Sequence, residues 1–396
     1  MTEPIAPAHP SDIASFRNEW SVLLECAAPT HDHQKLGSLL PSVDWARLLV
    51  LAEEHGITGH LASWVRDVEE ELVPPQVTQS LADGQRAQIF FSMCLTAELF
   101  RILERFTAEG IAALVIKGPV LAVRAYPDPT MRSYADLDLL VRQRDIRRAT
   151  ELMCAAGFAP AVPLSAIDAG RIPGQYLFSE PDSRLIVELH NDRTLRYFPR
   201  RLPLEEFFAR QIRMKLDARE VPALSVEDEL VLICIHGAKH FWERLMWIAD
   251  VAGLVTRQTG IDWDCVANSA KAVGAERMLH TGICLASDLL SVQLPDKVQA
   301  TVQADLATAR LADQVCKRLP AAGHAPPSLF QRAIFRMRMR GGGFISGPAY
   351  LLRLSLSPTE EDWVADPEAE VRRHGFLDAV RRPFRLVRKY GRGGKT

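Results

Sequence analysis

The sequence predicts an α+β fold, in which a small mixed sheet with its own helices is flanked by helical regions. Short apolar or alternating segments bounded by Gly, Pro, Asp and Ser occur between residues 110 and 224, as expected of strands. Longer segments with apolar residues at helical spacing precede and follow them. We therefore divide the chain into an N-terminal helical region (1–109), an α/β core (110–224), a C-terminal helical domain (225–320) and a basic segment (321–396) docking on the core.

The composition is that of an ordinary globular protein with two or three domains. Of 396 residues, 47% are hydrophobic and 24% are charged, and the net charge of −2 does not favour nucleic acid or a membrane surface as partner. The sequence shows no signal-peptide pattern and no apolar run long enough to span a bilayer. Its seven cysteines form no C-x-x-C pair. This pattern is typical of reduced thiols, so we expect a cytoplasmic protein.

The N-terminal region is predicted to be a helical layer that carries no chemistry. Helices are expected over 12–27, 44–55 and 57–72, with Asp44 as an N-cap. A longer amphipathic helix is expected over 76–109. Its predicted apolar side consists of Ile89, Phe90, Met93, Leu95, Leu99, Ile102, Leu103 and Phe106.

The first predicted strand, over 112–116, ends at a turn that suits an anion. Gly118 has no Cβ and lets a bulky group approach the backbone, and Pro119 fits the first turn of a following helix. The free N–H groups and the helix dipole at such a turn favour phosphate. Lys117 would add positive charge to the same place.

The next predicted strand carries two carboxylates on one face. Because strand residues alternate, Asp136 and Asp138 point one way while Leu137 and Leu139 face the core. A cation between two such carboxylates relieves their repulsion, and Mg²⁺ is commonly held by carboxylates together with phosphate oxygens. Arg132 would bring positive charge to the same pocket. A surface strand can also carry this pattern without function, so its neighbours decide the interpretation.

A hairpin is predicted further along, with strands over 175–180 and 184–190. Glu188 and His190 share one face of its second strand. Glu188 is either a functional acid or an exposed one. His190 is first interpreted as a core or edge histidine, with a role near the acceptor or triphosphate as the alternative. The other predicted core elements are helices over 145–156 and 204–208 and a small hairpin of 213–216 and 221–224.

The C-terminal domain begins with a capping box, in which Ser225 is followed three residues later by Asp228. Further helices are predicted over 262–273, 275–291 and 296–319. Beyond them, residues 328–356 contain five arginines and no acid. We expect these basic segments to be docking helices, although similar blocks contact anionic partners in other proteins.

Two histidines of the first C-terminal helix have the four-residue spacing of helical zinc ligands, His236 and His240. The zinc-protease pattern needs glutamate directly after the first histidine, where Gly237 stands, so zinc is not expected. Lys239, His240 and Arg244 instead suggest a second basic wall facing the phosphates or the acceptor.

Three neighbours of this wall are predicted to be structural. We expect Asp250 to form an ion pair with one of the wall's bases, and Trp242 and Trp247 to lie in the core.

These motifs together carry a resemblance to a known family. They are Ile116-Lys117-Gly118, Tyr126-Pro127-Asp128-Pro129, Arg132, Asp136 to Val141, Val187-Glu188-Leu189-His190, His236 to His240, Trp242 to Leu245 and Trp247 to Asp250. The chain resembles the uncharacterised nucleotidyltransferase family of the DNA polymerase β superfamily, several members of which accompany lasso-peptide and other natural-product biosynthesis genes. The resemblance covers most of residues 95–250 and, more loosely, the C-terminal third.

The resemblance implies a polymerase β-like core that transfers a nucleoside monophosphate from an NTP, with ATP expected, to an unknown acceptor and releases pyrophosphate. Asp136, Asp138 and Glu188 would be the catalytic residues and the ligands of Mg²⁺ or Mn²⁺, Glu188 being the third carboxylate from an adjacent strand. The implied nucleotide-binding residues are Lys117, Gly118, Arg132, Lys239, His240 and Arg244.

Two alternatives stay open. The superfamily's Gly-Gly or Gly-Ser turn is Gly118-Pro119 in this chain, and proline removes an N–H that could bond a phosphate. This departure favours a non-catalytic adaptor that presents a peptide or other biosynthetic intermediate to a partner enzyme. The basic C-terminal segments permit transfer onto RNA ends, as in toxin-like relatives, but the net charge does not favour it. Without a Walker loop or G-x-G-x-x-G, kinase and dehydrogenase activities are not expected.

Overall fold

A computed structural model describes residues 17–30, 33–68, 72–168, 174–181, 185–192, 200–321 and 328–340. Predictions for the first sixteen residues, for most of the 321–327 linker and for the chain after residue 340 lie outside these ranges. The N-terminal helices are α1 (Arg17–Ala27), α2 (His33–Leu39), α3 (Trp45–His55), α4 (Thr58–Arg66) and α5 (Pro75–Ala108).

The N-terminal helices follow the predicted pattern with three differences, the first being that α4 ends at Arg66 and not at residue 72. The Asp44 side chain accepts a hydrogen bond from the Arg47 N–H and caps α3, as predicted. The short helix α2 was not predicted, because seven residues are too few for a clear periodic signal. Phe90 and Met93 were wrongly placed on the buried side of α5. They are 70% and 65% exposed, because the side of α5 that packs against the sheet instead carries Phe91, which is half-buried, and Leu95, which is fully buried.

The core contains a mixed seven-stranded sheet in the order β3-β4-β5-β2-β1-β7-β6. Its elements are β1 (Ala113–Ile116), α6 (Gly118–Ala125), β2 (Asp136–Val141), α7 (Ile146–Ala155), β3 (Ala159–Pro160), α8 (Leu164–Asp168), β4 (Gln175–Ser179), β5 (Ile186–His190), α9 (Leu204–Ala209), β6 (Ile212–Leu216) and β7 (Arg219–Ala223). Strand β2 pairs antiparallel with β1 and parallel with β5. Strands β4 and β5 form the predicted antiparallel hairpin, and β6 and β7 form the second one.

The sheet buries its two faces in different layers. Leu137 and Leu139 of β2 pack with the apolar stripe of α5 and with α7 in one core. Leu140 points to the opposite face and belongs to a second core, built by the other N-terminal helices and the C-terminal helices. Because side chains alternate along a strand, Asp136 and Asp138 share the face of Leu140. The carboxylates therefore point toward the helical regions.

The C-terminal helices are α10 (Val226–Lys239), α11 (Leu245–Arg257), α12 (Trp263–Val273), α13 (Glu276–Leu290), α14 (Asp296–Ala304), α15 (Leu306–Arg318) and α16 (Leu329–Arg340). Ser225 caps α10 as predicted, accepting a hydrogen bond from the Asp228 N–H. The prediction of a single helix over 296–319 is wrong, because the helix is interrupted at Asp305. There the side chain accepts hydrogen bonds from the Ala307 and Thr308 N–H groups and starts a new helix.

Helix α16 contacts α10, α13 and α15, so the described part of the basic segment docks on the helical domain. Phe241, in the turn after α10, stacks on Phe335 at a centroid distance of 4.6 Å. Arg332 forms an ion pair with Glu243 at 3.0 Å, and Arg336 donates to the Lys239 carbonyl oxygen at 3.0 Å. In the parts of the chain that the structure describes, no helix has the length and apolarity needed to cross a membrane.

Candidate active site

The register of three strands brings the predicted acidic residues together. Asp138 of β2 lies opposite Glu188 of the parallel strand β5 and opposite Ile116 of the antiparallel strand β1. Lys117 follows Ile116 directly, so its side chain starts beside the same carboxylate. The prediction that Glu188 stands on a strand next to Asp138 is confirmed.

Asp138 is the centre of a buried polar network. The Lys117 ammonium lies 2.7 Å from its Oδ2, and His190 Nε2 donates to its Oδ1 at 2.6 Å. The same His190 nitrogen lies 3.3 Å from Glu188 Oε2. The Asp138 side chain is only 2% exposed. The Lys117 charge and the His190 hydrogen bond therefore compensate a carboxylate that would be costly to bury alone.

The electrostatics of the cluster follow from this pairing. Burial by itself would raise the pKa of Asp138, but the Lys117 charge and the His190 hydrogen bond outweigh it and hold the pKa well below its ordinary value. For Asp136 the balance is reversed. Burial and the neighbouring Asp138 charge raise its pKa above the ordinary value. The pKa of Lys117 is raised, because the charges of Asp138 and Asp136 outweigh the effect of its burial.

The donor set fits a divalent cation. Ligand atoms of Asp138, Glu188 and His190 lie within 4.8 Å of one another, and carboxylates and imidazoles are ligands that divalent cations take in proteins. Asp136 stands outside this group of three, although it shares the strand face. His190 is buried, in agreement with its first interpretation as a core or edge histidine, and its ring also belongs to this group. Its shared strand face with Glu188 was the signal in the sequence.

The turn before α6 has an uncommon backbone. Lys117 has φ 57° and ψ −142°, and Gly118 follows with φ 48°. A non-glycine residue in this region is strained, and such strain is concentrated at functional sites. A Cβ on Gly118 would lie 3.7 Å from the Asp136 carbonyl oxygen. The turn therefore presents the N-terminus of α6 beside the carboxylates, with Pro119 in its first turn.

Arg132 has a structural partner at this site. Its Nε and Nη2 donate to the two carboxylate oxygens of Asp250 at 2.8 and 3.1 Å, and the Tyr126 hydroxyl donates to Asp250 Oδ1 at 2.8 Å. All three side chains are buried. The prediction that Asp250 pairs with a base of the second wall is wrong, because the loop before β2 brings a guanidinium of matching bidentate geometry into reach.

A hydrogen-bonded chain joins the second wall to the acidic cluster. Lys239 Nζ, at the end of α10, donates to Gln175 Oε1 at 2.9 Å. Gln175 Nε2 donates to Glu188 Oε2 at 2.6 Å. Gln175 was not predicted as a site residue, and the hairpin that places β4 beside β5 is what brings it there. Lys239 is thus within two hydrogen bonds of a candidate metal ligand.

A cavity of about 1230 Å³ unites these elements. It lies among α3, α4, α5, the sheet, α10 and α11, so that both helical regions and the core contribute to it. The nine residues predicted for the site all line it, namely Lys117, Gly118, Arg132, Asp136, Asp138, Glu188, Lys239, His240 and Arg244. Trp247 also lines it, half-buried, whereas Trp242 is fully buried in the core as predicted.

Carboxylates from adjacent strands converge beside a strand–glycine–helix turn, an arrangement that can hold a divalent cation next to a phosphate. Residues 41–291 match the family model described as uncharacterised nucleotidyltransferase, and the chain belongs to that family. The match includes the whole cavity lining and ends after α13, so that α16 lies beyond it. No curated protein matches the chain significantly. Membership of this family implies a nucleotide substrate.

Proposed function

We propose that the protein transfers a nucleoside monophosphate from an NTP to an acceptor oxygen and releases pyrophosphate. The observation that carries the proposal is the pairing of Glu188 with Asp138 across β5 and β2, beside the Lys117–Gly118 turn. ATP is the expected nucleotide, and a peptide or other natural-product intermediate is the acceptor class to test first.

In this proposal Asp136, Asp138 and Glu188 hold Mg²⁺ or Mn²⁺, with the His190 ring beside them. When bound, the metal stabilises negative charge on the attacking and leaving oxygens. The acceptor oxygen attacks the α-phosphorus, the bond from that phosphorus to the bridging oxygen breaks, and the acceptor's proton is released. Glu188 orients the acceptor hydroxyl or takes up that proton.

The positively charged walls serve the triphosphate. Lys117 and the N–H groups at the start of α6 lie on one side of the carboxylates. Lys239 and Arg244 line the cavity on the side of α10 and α11, and the uncharged ring of His240 lies beside them. Arg132, held by Asp250, contributes positive charge near Asp136 and offsets part of the rise in the Asp136 pKa that burial and Asp138 cause. Opposite charges placed in this way neutralise a polyanion without solvent reorganisation.

Pro119 favours a second candidate function. It removes one N–H from the first turn of α6, where a phosphate would be bound. A binding protein of the same fold, presenting a biosynthetic intermediate to a partner enzyme, would tolerate that loss. Such an adaptor needs no magnesium-dependent affinity for NTP.

The test is incubation of the full chain with each labelled NTP, Mg²⁺ or Mn²⁺ and candidate acceptors including RNA, followed by mass analysis for an added nucleotide. Asp138→Asn should abolish transfer while the protein stays folded, because asparagine keeps the shape and loses the charge. Asp264→Asn, on the exposed surface of α12, is the matched control. Full activity of Asp138→Asn would reject the assignment, and absence of NTP binding with metal present would favour the adaptor.

A further inference from the structure

Three aromatic rings form a cluster in the wall of the cavity. His236 and His240 of the α10 end lie 4.7 Å apart between ring centroids. Trp247 of α11 lies 5.4 Å from the first and 5.2 Å from the second. All three are half-buried and line the cavity. The spacing that resembles helical zinc ligands therefore serves ring packing here.

The cluster adds aromatic surface without adding charge. Burial, together with the charges of Lys239 and Lys117, lowers the pKa of His240 to about 3. Burial and the Lys117 charge also hold the pKa of His236 well below its ordinary value. Both rings are therefore neutral at physiological pH. Beside the lysine, arginine and carboxylate groups of the same cavity, this is a patch suited to a flat, uncharged group.

The cluster has a fixed relation to the acidic group. Lys239 stands between the two histidines on α10, and its ammonium reaches Glu188 through Gln175 by hydrogen bonds of 2.9 and 2.6 Å. An NTP carries its planar base at one end of a ribose–triphosphate chain. Phosphates at the carboxylates would thus leave the base to be placed elsewhere in the same cavity, and the aromatic cluster offers it stacking surface.

We propose that His236, His240 and Trp247 form the nucleobase subsite, with the base of the NTP stacking on Trp247 and His240. This inference rests on the proposed nucleotide function and adds where the base binds. Trp242 is a structural aromatic residue and differs from Trp247 in its exposure. Its ring is fully buried beneath Gly237, whereas Trp247 keeps part of its surface toward the cavity. Stacking of a base on an aromatic side chain is a general source of nucleotide affinity.

The test measures binding of two probes to the full chain by isothermal titration with Mn²⁺, namely ATP and inorganic tripolyphosphate. Trp247→Ala should weaken ATP binding by about 5- to 150-fold and leave tripolyphosphate affinity unchanged. Trp247→Phe should keep most of the ATP affinity. Trp263→Ala is the matched control, because Trp263 is half-buried in α12 and does not line the cavity.

Tryptophan fluorescence supplies a second readout that does not depend on a large truncation. ATP should quench the wild-type emission, and the quench should be smaller in Trp247→Phe but unchanged in Trp263→Phe. If Trp247→Ala weakened the binding of ATP and of tripolyphosphate equally, or did not weaken ATP binding, the base subsite alone would be overturned. Wild-type protein that binds neither probe would overturn the nucleotide site and the subsite with it.

Discussion

Gln175 offers the sharpest test of how the cavity prepares its metal ligands. It has no charge and is not itself a candidate ligand, yet it donates to Glu188 Oε2 at 2.6 Å. Its own orientation is set by Lys239, which donates to its carbonyl oxygen. Substitution by alanine removes the link between α10 and β5. Glu188, whose side chain is 15% exposed, would then lose one of its two polar contacts and keep the other, to His190 Nε2 at 3.3 Å.

The size of the effect follows from that bond. A hydrogen bond to a charged group contributes about 1.5–3 kcal/mol, which corresponds to about 10- to 150-fold in affinity. Water from the cavity can replace part of the bond, which favours the lower end. Removing outer partners of metal ligands generally costs about 10- to 100-fold. We therefore expect Gln175→Ala to weaken Mn²⁺ binding by about tenfold.

The assay is a titration of the full chain with Mn²⁺, following the free ion by electron paramagnetic resonance. Gln85→Ala is the matched control, because Gln85 lines the same cavity but donates to the Thr130 hydroxyl. Thermal unfolding without metal should be similar for both variants. A change below twofold in Gln175→Ala would refute the idea that this amide positions Glu188.

Three further substitutions test the fold around the site. Arg132→Met should lower the free energy of unfolding by about 3–5 kcal/mol, because it leaves the Asp250 carboxylate buried without its cation; differential scanning calorimetry measures this loss. Gly237→Ala should cost about 1–3 kcal/mol in urea unfolding, since a Cβ there would clash with the buried Trp242 ring. Asp305→Ala should cost about 1 kcal/mol at pH 7 through loss of the α15 cap. Burial would raise the pKa of Asp305, but hydrogen bonds outweigh it and lower the pKa from 3.8. The stability cost of Asp305→Ala should therefore be complete above about pH 4 and should vanish as the pH falls through the lowered pKa.

Each of these predictions has its own control. Arg66→Met removes an exposed ion pair with Asp128 and should cost less than about 1 kcal/mol. Gly84→Ala, at an open position of α5, should be neutral or stabilising. Asp305→Asn should retain most of the cap at pH 7. Arg132→Met with unchanged stability, a harmless Gly237→Ala, or a pH-independent cost of Asp305→Ala would each contradict the corresponding structural argument.

Much of the site was predictable because it depends on short-range patterns. The alternation of β2 fixes that Asp136 and Asp138 share a face. The alternation of β5 likewise fixes that Glu188 and His190 share a face. Helix starts at Asp44 and Ser225 were predictable for the same reason, since a cap is satisfied by N–H groups within three residues. The break at Asp305 shows the limit. A capping residue inside a long helical pattern is not distinguished from an ordinary polar position by periodicity alone.

The strand–glycine turn, the acidic strand face and the helical flanks could thus be predicted, because each is encoded by neighbours in the chain. The partners of these groups could not, because they come from distant parts of the chain. Arg132 meets Asp250 across 118 positions, and Lys239 meets Gln175 across 64. Trp247 joins the two histidines because α11 packs against α10. Such contacts depend on how whole elements pack, and packing is set by the summed burial of many side chains rather than by any local motif.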